Sequence, residues 1–307
     1  MNDKAKKLLE HLNRLATETS NPKSVHIDRL SAVDICRLIN DEDQTVAAVV
    51  RGQAEAIAKA AELAADRLRR GGRLFYIGAG TSGRLGVLDA AEIPPTFGAD
   101  PAQVIGIIAG GHATLVLSAE GVEDRAEEAP RDLQAHHFSA SDMLIGLAAS
   151  IKTPYTISGI KYAHEIKATT GLIVCNRAEG LDFTPDVLIE LDVGPEIITG
   201  STRMKSGTAQ KMTLNMISTA AMILLGKCYG NLMVDLKATS NKLKARSRKI
   251  LMELLGVTYE QADQLLAASG GSVKVAIVMH RLGLDRTEAL RRLDASGGFL
   301  WRLLDVR

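Results

Sequence analysis

The sequence predicts an α/β fold: a doubly wound, five-stranded parallel sheet flanked by helices, with a helical N-terminal segment and a small C-terminal three-helix bundle. Three observations carry this prediction. Five short aliphatic runs, at 73–78, 104–109, 143–148, 171–175 and 187–191, alternate with helical stretches, the pattern of a parallel sheet. The 307 residues include 27 glycines and only 4% aromatics, which suits close helix-on-sheet packing better than an all-β sandwich. The first aliphatic run also passes straight into a glycine-rich loop and then a helix.

Residues 1–70 read as helical, with Ile35, Leu38 and Ile39, then Val46, Val49 and Val50, at three- and four-residue spacings. Asn40-Asp41-Glu42-Asp43 marks a break before Thr45-Val46, and 46–70 reads as one long helix ended by Gly71-Gly72. Strand 73–78 leads through GAGTSGRLG into a helix over 85–91. Strand 104–109 leads through Gly110-Gly111 into a long helical region, and strand 143–148 leads through 149–154 into a helix reaching Ala168. Gly200-Ser201-Thr202 opens a helix that runs to Leu225 and is apolar all round, so it belongs in a core or between subunits. Past Asn241, the capping residues Thr258, Ser272 and Asp285 each precede an amphipathic helix. The domain boundaries implied are a helical segment 1–55, a sheet domain 56–240 and a C-terminal module 241–307.

Thirty-seven Lys and Arg against 36 Asp and Glu leave a net charge of +1, so no global field favours nucleic acid or an anionic membrane. Any anion must be held locally. Cys36, Cys175 and Cys228 form no CxxC and no paired spacing, which indicates neither a disulfide framework nor a zinc site and suits a reducing cytoplasm. The start MNDKAKKLLEHLNRL lacks the apolar region of a signal peptide. The longest apolar stretch, 212–225, is interrupted by polar residues and too short to span a bilayer.

Gly78-Ala79-Gly80-Thr81-Ser82-Gly83 matches the dinucleotide fingerprint G-x-G-x-x-G. The second strand ends in Gly110-Gly111, however, where that fingerprint wants an acidic residue, and Asp100 precedes the strand. No Gly-Lys-Ser/Thr follows, which excludes a Walker A loop. What the loop offers is backbone N–H groups at a helix N-terminus with the hydroxyls of Thr81 and Ser82, a cradle for a phosphate monoester. The loop from Ser150 to Thr153 repeats the arrangement, and so does Gly200-Ser201-Thr202. One such hydroxyl is ordinarily just an N-cap. Three such loops at the carboxyl ends of parallel strands converge on one crevice.

On these residues the chain resembles the sugar isomerase (SIS) fold family. Within it, FYIGAGTSGRLGVLDAAEIPPTFG, INDEDQTV, EGVEDR, VGPEIITGSTRMKSGTAQKMTLNM and GKCYGNLMVDL resemble the N-acetylmuramic acid 6-phosphate etherases, over nearly the whole chain. The resemblance implies a SIS phosphosugar-binding domain over 56–240 and a UBA-like module at the C-terminus. It also implies a cytoplasmic homodimer, with the 212–225 helix near its interface. The activity implied is a cofactor- and metal-free carbon–oxygen lyase of cell-wall amino-sugar recycling. Such an enzyme releases D-lactate from N-acetylmuramate 6-phosphate and leaves N-acetylglucosamine 6-phosphate.

By the same resemblance Glu92 is the acid that protonates the departing lactate, and Glu123 is the base at C2. Gly80, Thr81, Ser82, Ser150, Lys152, Thr153, Ser201 and Thr202 hold the phosphosugar. By position, Glu196 before the third loop is a further pocket candidate, for sugar hydroxyls, while Arg203 and Lys205 after it are candidates to neutralise the phosphate or the lactyl carboxylate, or to touch a second subunit. Two departures from the family pattern stand out. Its second loop reads Ser-Gly-Arg-Thr where this chain has Ser150-Ile151-Lys152-Thr153, and a β-branched residue tolerates positive φ poorly. His112 stands where a glutamate is common. The related glucokinase regulatory protein binds sugar phosphates without catalysis, so a non-catalytic sensor and an aldose–ketose isomerase of the same fold are the rival readings.

Overall fold

The computed structural model describes residues 15–236, 238 and 240–305; the reading of residues 1–14 as helical lies outside them. Residues 15–31 are turns with two 3-10 helices, Ala16–Glu18 and Ile27–Arg29, where the sequence predicted helix. Their polar groups bond across the fold. Ser24 Oγ donates to the Ile197 carbonyl at 2.7 Å, and Asn176 Nδ2 donates to Thr17 Oγ1 at 3.0 Å. Three helices follow: α1 (Ala32–Asp43), α2 (Val46–Gly52) and α3 (Ala54–Arg69). The predicted single helix over 46–70 is broken at Gly52-Gln53, where Gln53 leaves helical geometry at φ −105°, ψ 13°. A glycine inside a helix costs about 1 kcal/mol relative to alanine, so it is a natural place for the break.

The described residues fall into two compact units, those of 15–90 with 104–217, and those of 91–103 with 218–305. The first holds the sheet, formed by β1 (Leu74–Gly78), β2 (Val104–Ile108), β3 (Met143–Leu147), β4 (Thr169–Val174) and β5 (Val187–Glu190). All pairings are parallel, in the order β2-β1-β3-β4-β5. β1, β3 and β4 are buried throughout, as the unbroken aliphatic runs require when both faces of a sheet are covered.

The crossovers are α4 (Gly80–Phe97) after β1, the short α5 (Ala113–Val116) and α6 (Glu128–Ala135) after β2, and α7 (Pro154–Glu165) after β3. The long helical region predicted after Gly110-Gly111 is thus interrupted, because 117–127 is irregular. α8 (Lys205–Leu224) follows β5. One face of the sheet buries Phe75, Ile77, Leu144 and Leu172 with Leu133, Tyr155 and Ile160 from α6 and α7.

The seating of α4 is decided by glycine. A Cβ on Gly83 would lie 2.6 Å from the Gly78 carbonyl oxygen, and one on Gly106 would lie 2.5 Å from Val87 Cα. Helix backbone therefore lies directly on strand backbone, and the helix starts within one residue of the end of β1. α4 continues through Pro94 and Pro95 to Phe97, past the helical stretch that the sequence indicated.

The second unit contains the hairpin β6 (Cys228–Tyr229) and β7 (Leu232–Met233). Behind it come α9 (Asn241–Leu255), α10 (Tyr259–Ala268), α11 (Val273–Leu282), α12 (Arg286–Ala295) and α13 (Leu300–Leu304). Thr258, Ser272 and Asp285 cap α10, α11 and α12 as the sequence indicated, and Thr258 forms a full capping box with Gln261. The core gathers Leu251, Val273, Ile277, Val278 and Leu300. Among the described residues no single helix is long and apolar enough to cross a membrane.

Gly83→Ala tests the backbone contact. Overpacking of this kind costs about 1–3 kcal/mol, so the variant is expected to unfold at lower urea than the parent by that margin, followed by circular dichroism. An unchanged midpoint would mean that the contact is looser than these distances.

Candidate active site

A cavity of about 330 Å³ opens at the carboxyl ends of β1, β2 and β3, the place where open parallel sheets bind ligands. Its floor is the start of α4. The first intrahelical bond there runs from Gly83 N–H to the Ala79 carbonyl at 3.2 Å, so the N–H groups of Gly80, Thr81 and Ser82 precede it and need an outside partner. Gly80 takes φ +55° to make the turn. Gly80, Thr81 and Ser82 all line the cavity, with Thr153 from the start of α7 and Thr202 from the loop before α8.

Two carboxylates, Glu120 and Glu123, face the same cavity from the irregular segment after α5. The carbonyl of Glu123 accepts the N–H of Tyr155 at 3.0 Å, which ties it to the first turn of α7. Arg84 also lines the cavity and bonds to α5, which precedes that segment. Its Nε donates to the Leu115 carbonyl at 3.0 Å, and its Nη2 donates to the Thr114 carbonyl. Sequence reasoning passed over Arg84 inside the glycine-rich motif, and Glu120 inside EGVEDR.

The loop after β3 is fixed from behind. Gln210 Nε2 donates to the Ala148 carbonyl at 3.0 Å, and Asn176 Nδ2 donates to the Ala149 carbonyl at 2.9 Å. Ser150 turns its hydroxyl toward the Lys152 N–H at 3.3 Å, while Lys152 is exposed; neither lines the cavity. Positive φ among the described non-glycine residues belongs to His137 and Lys167. Ile151 therefore has ordinary backbone, and its side chain, 8% exposed, joins the core with Val122 and Tyr155. The loop accommodates the replacement of glycine by turning the side chain inward.

The third loop departs from expectation. The N-terminus of α8 is closed by Glu196, whose carboxylate accepts Lys205 N–H at 2.9 Å, Ser206 N–H at 2.9 Å and Ser206 Oγ at 2.7 Å. Glu196 is fully buried and its oxygens are taken by the helix, so it has no place for sugar hydroxyls. Lys205 is likewise spent: its Nζ lies 2.8 Å from Glu42 Oε2, and both side chains are buried. Glu42 also accepts Lys23 Nζ at 2.7 Å and Asn21 Nδ2 at 3.0 Å. Ser201 and the exposed Arg203 do not line the cavity.

Glu92 lies outside the cavity as well. It is exposed and twelve residues beyond Gly80 on α4, about 18 Å along the axis. His112 borders a separate cavity beside β2.

Burial pushes the Glu42 carboxyl up, but hydrogen bonds from Lys205, Lys23 and Asn21, with the Lys205 charge, outweigh it and hold the pKa at about 2. Burial pushes the Cys175 thiol up to about 12, so it stays protonated and unreactive in the folded protein. Among the described residues no three His, Cys, Asp or Glu side chains are grouped to hold a metal ion.

The sheet and its cavity define an α/β domain with an open crevice at the strand ends. A family model described as the glucokinase regulatory protein N-terminal SIS domain matches residues 54–164. A protein of Rhodopirellula baltica named N-acetylmuramic acid 6-phosphate etherase is 52% identical over 297 residues, 97% of this chain and 98% of that protein. One of the same name from Mycolicibacterium smegmatis is 50% identical over 287 residues, 94% of this chain and 96% of its own. Among solved structures, a phosphoheptose isomerase from Francisella tularensis aligns over 64% of this chain and 98% of its own at 15% identity, with a TM-score of 0.44. The chain belongs to the N-acetylmuramic acid 6-phosphate etherase family.

The folded pKa of Glu42, about 2, lies below its ordinary 4.5. The unfolded chain therefore takes up this proton first as pH falls, and the stabilisation is complete above 4.5 and lost on descending toward 2, on the order of 3 kcal/mol in all. Urea midpoints measured across this window should fall steeply for the parent and less for Glu42→Gln. Lys205→Met removes the buried partner of Glu42 and leaves the carboxylate to Lys23 and Asn21, and is expected to cost at most about 3–5 kcal/mol at neutral pH.

Proposed function

We propose that the protein is a cytoplasmic carbon–oxygen lyase that cleaves the D-lactyl ether of N-acetylmuramate 6-phosphate in cell-wall amino-sugar recycling. One observation carries the reading. The open N-terminus of α4, with Thr81 and Ser82, shares a cavity with the Glu123 carboxylate, in a chain about half identical to etherases over nearly its whole length. A phosphate monoester fits the helix N-terminus by charge and by the N–H groups that lack helical partners.

With the sugar ring open, the C1 aldehyde acidifies the C2 hydrogen. Glu123 takes that proton, and the C3–O bond breaks with its electron pair on the lactyl oxygen, which a carboxylic acid protonates. Water then adds across the C2–C3 double bond, hydroxyl to C3 and hydrogen to C2. The products are N-acetylglucosamine 6-phosphate and D-lactate. Two carboxyl groups in opposite protonation states meet the need.

The acid we assign is Glu92 of a second copy, acting in a homodimer. Leu88, one turn before Glu92 on α4, is 51% exposed. A large apolar side chain left open on the same helix as an exposed carboxylate favours a partner surface there. A second reading makes Glu120 the acid, because it faces the same cavity as Glu123 within one chain.

Glu123→Gln is expected to abolish both lactate release and solvent-deuterium exchange at C2, whereas Glu92→Gln abolishes release and spares exchange. Each variant alone is inactive, but after the two are mixed and subunits exchange, roughly a quarter of parental lactate release should return, because half of a symmetric dimer population is mixed and has one intact site. No recovery, with Glu120→Gln inactive and Glu92→Gln active, would transfer the acid to Glu120. Full release from Glu123→Gln would overturn the mechanism.

A further inference from the structure

The substrate of the proposed reaction carries two anions at opposite sides of the sugar, the phosphate on C6 and the carboxylate of the lactyl group on C3. The cavity meets them with unlike resources. On the flank of β1 and β3 it offers neutral donors: the leading N–H groups of α4, the hydroxyls of Thr81 and Ser82, and Thr153. These suit the phosphate. On the opposite flank lies Arg84, the one Lys, Arg or His among the described residues lining the cavity.

The anchors of Arg84 fix that position. The carbonyls of Leu115 and Thr114 and the Ser118 hydroxyl that its guanidinium meets belong to the segment after β2, and β2 borders β1 on the side away from β3. Nη1 donates to none of the described residues. With Nε and Nη2 engaged by two carbonyls and a hydroxyl, the guanidinium is fixed in place and keeps Nη1 as a charged donor for an anion. It also offsets Glu120 and Glu123, which would otherwise repel an incoming anion. The two cations that the sequence suggested for this task are engaged elsewhere: Lys205 pairs with Glu42, and Arg203 lies outside the cavity.

We propose that Arg84 is the specificity-determining residue that binds the lactyl carboxylate, and so distinguishes the ether substrate from sugar phosphates that lack it. The assignment rests on the etherase reading. It also gives the product a route out, since the amino-sugar phosphate leaves this contact when lactate departs.

Calorimetric titration in the Glu123→Gln background, where substrate is not consumed, separates the possibilities. Arg84→Gln is expected to weaken N-acetylmuramate 6-phosphate at least tenfold while N-acetylglucosamine 6-phosphate changes by less than about twofold, with Arg84→Lys between the two because it keeps charge but loses the anchoring that fixes its place. The unchanged affinity for the second ligand is the control for folding. Equal losses for both ligands would overturn the proposal, making Arg84 a phosphate ligand or a brace for the 114–118 segment, and so would no loss for either. If the parent background binds neither phosphosugar, the etherase reading fails, and this proposal with it.

Discussion

The contact between Gly78 and Gly83 is the constraint on which the site depends. With no Cβ on either residue, the first turn of α4 lies against the end of β1, and helix N–H groups reach the sheet edge where β1, β2 and β3 end together. A side chain at either position would lift the helix away and with it three features that ride on α4. These are the N–H groups that need an outside partner, the Arg84 side chain one turn in, and the Leu88–Glu92 face two turns further on. One pair of small residues thus sets both the floor of the cavity and the direction in which its cation points.

The helix ends at the sheet edge are not equivalent, and electrostatics explains the difference. Glu196 occupies the N-terminus of α8 with three hydrogen bonds, so the partial positive charge there is already answered. Lys205 and Glu42 neutralise each other directly beneath it. That buried cluster ties α1, the 3-10 segment and α8 together, and it removes two charges from any role toward ligand. Among the described residues the N-terminus of α4 has no such carboxylate for a partner. An anion entering the crevice therefore finds the α8 end already answered, while the leading N–H groups of α4 remain on offer.

The parts of this arrangement that were legible in the sequence are those governed by local rules. Strand, glycine loop and helix follow one another in residues 74–97, and Thr258, Ser272 and Asp285 announce their helices through side-chain capping that any reader of the sequence can find. Thr81, Ser82, Thr153 and Thr202 could be named in advance as residues of one crevice, because loops at the strand ends of a parallel sheet must converge, whereas Glu123 came only from the family resemblance. What was illegible depended on distant partners. Glu196 looks like a free carboxylate until α8 folds back over it, and Lys205 looks like a free cation until Glu42 arrives from α1, far away in sequence. Ile151 reads as strained only if the loop keeps the backbone that a glycine would adopt. Its inward packing against Val122 and Tyr155 is a tertiary fact.

Arg84 shows why a near-neutral protein can handle a multiply charged ligand. A net charge of +1 gives no long-range pull, so recognition must be built at short range from dipoles, hydroxyls and at most a few full charges. Neutral donors hold a dianion without attracting every other anion in solution, because they work only at hydrogen-bond distance. A single guanidinium, fixed by backbone carbonyls, then adds a requirement that neutral donors cannot impose: a second anion at a set place. Two cavity carboxylates raise the stakes of that requirement, since a ligand anion that fails to reach Arg84 is left beside Glu120 and Glu123. Selectivity in such a site comes from the penalty for partial occupancy as much as from the contact itself.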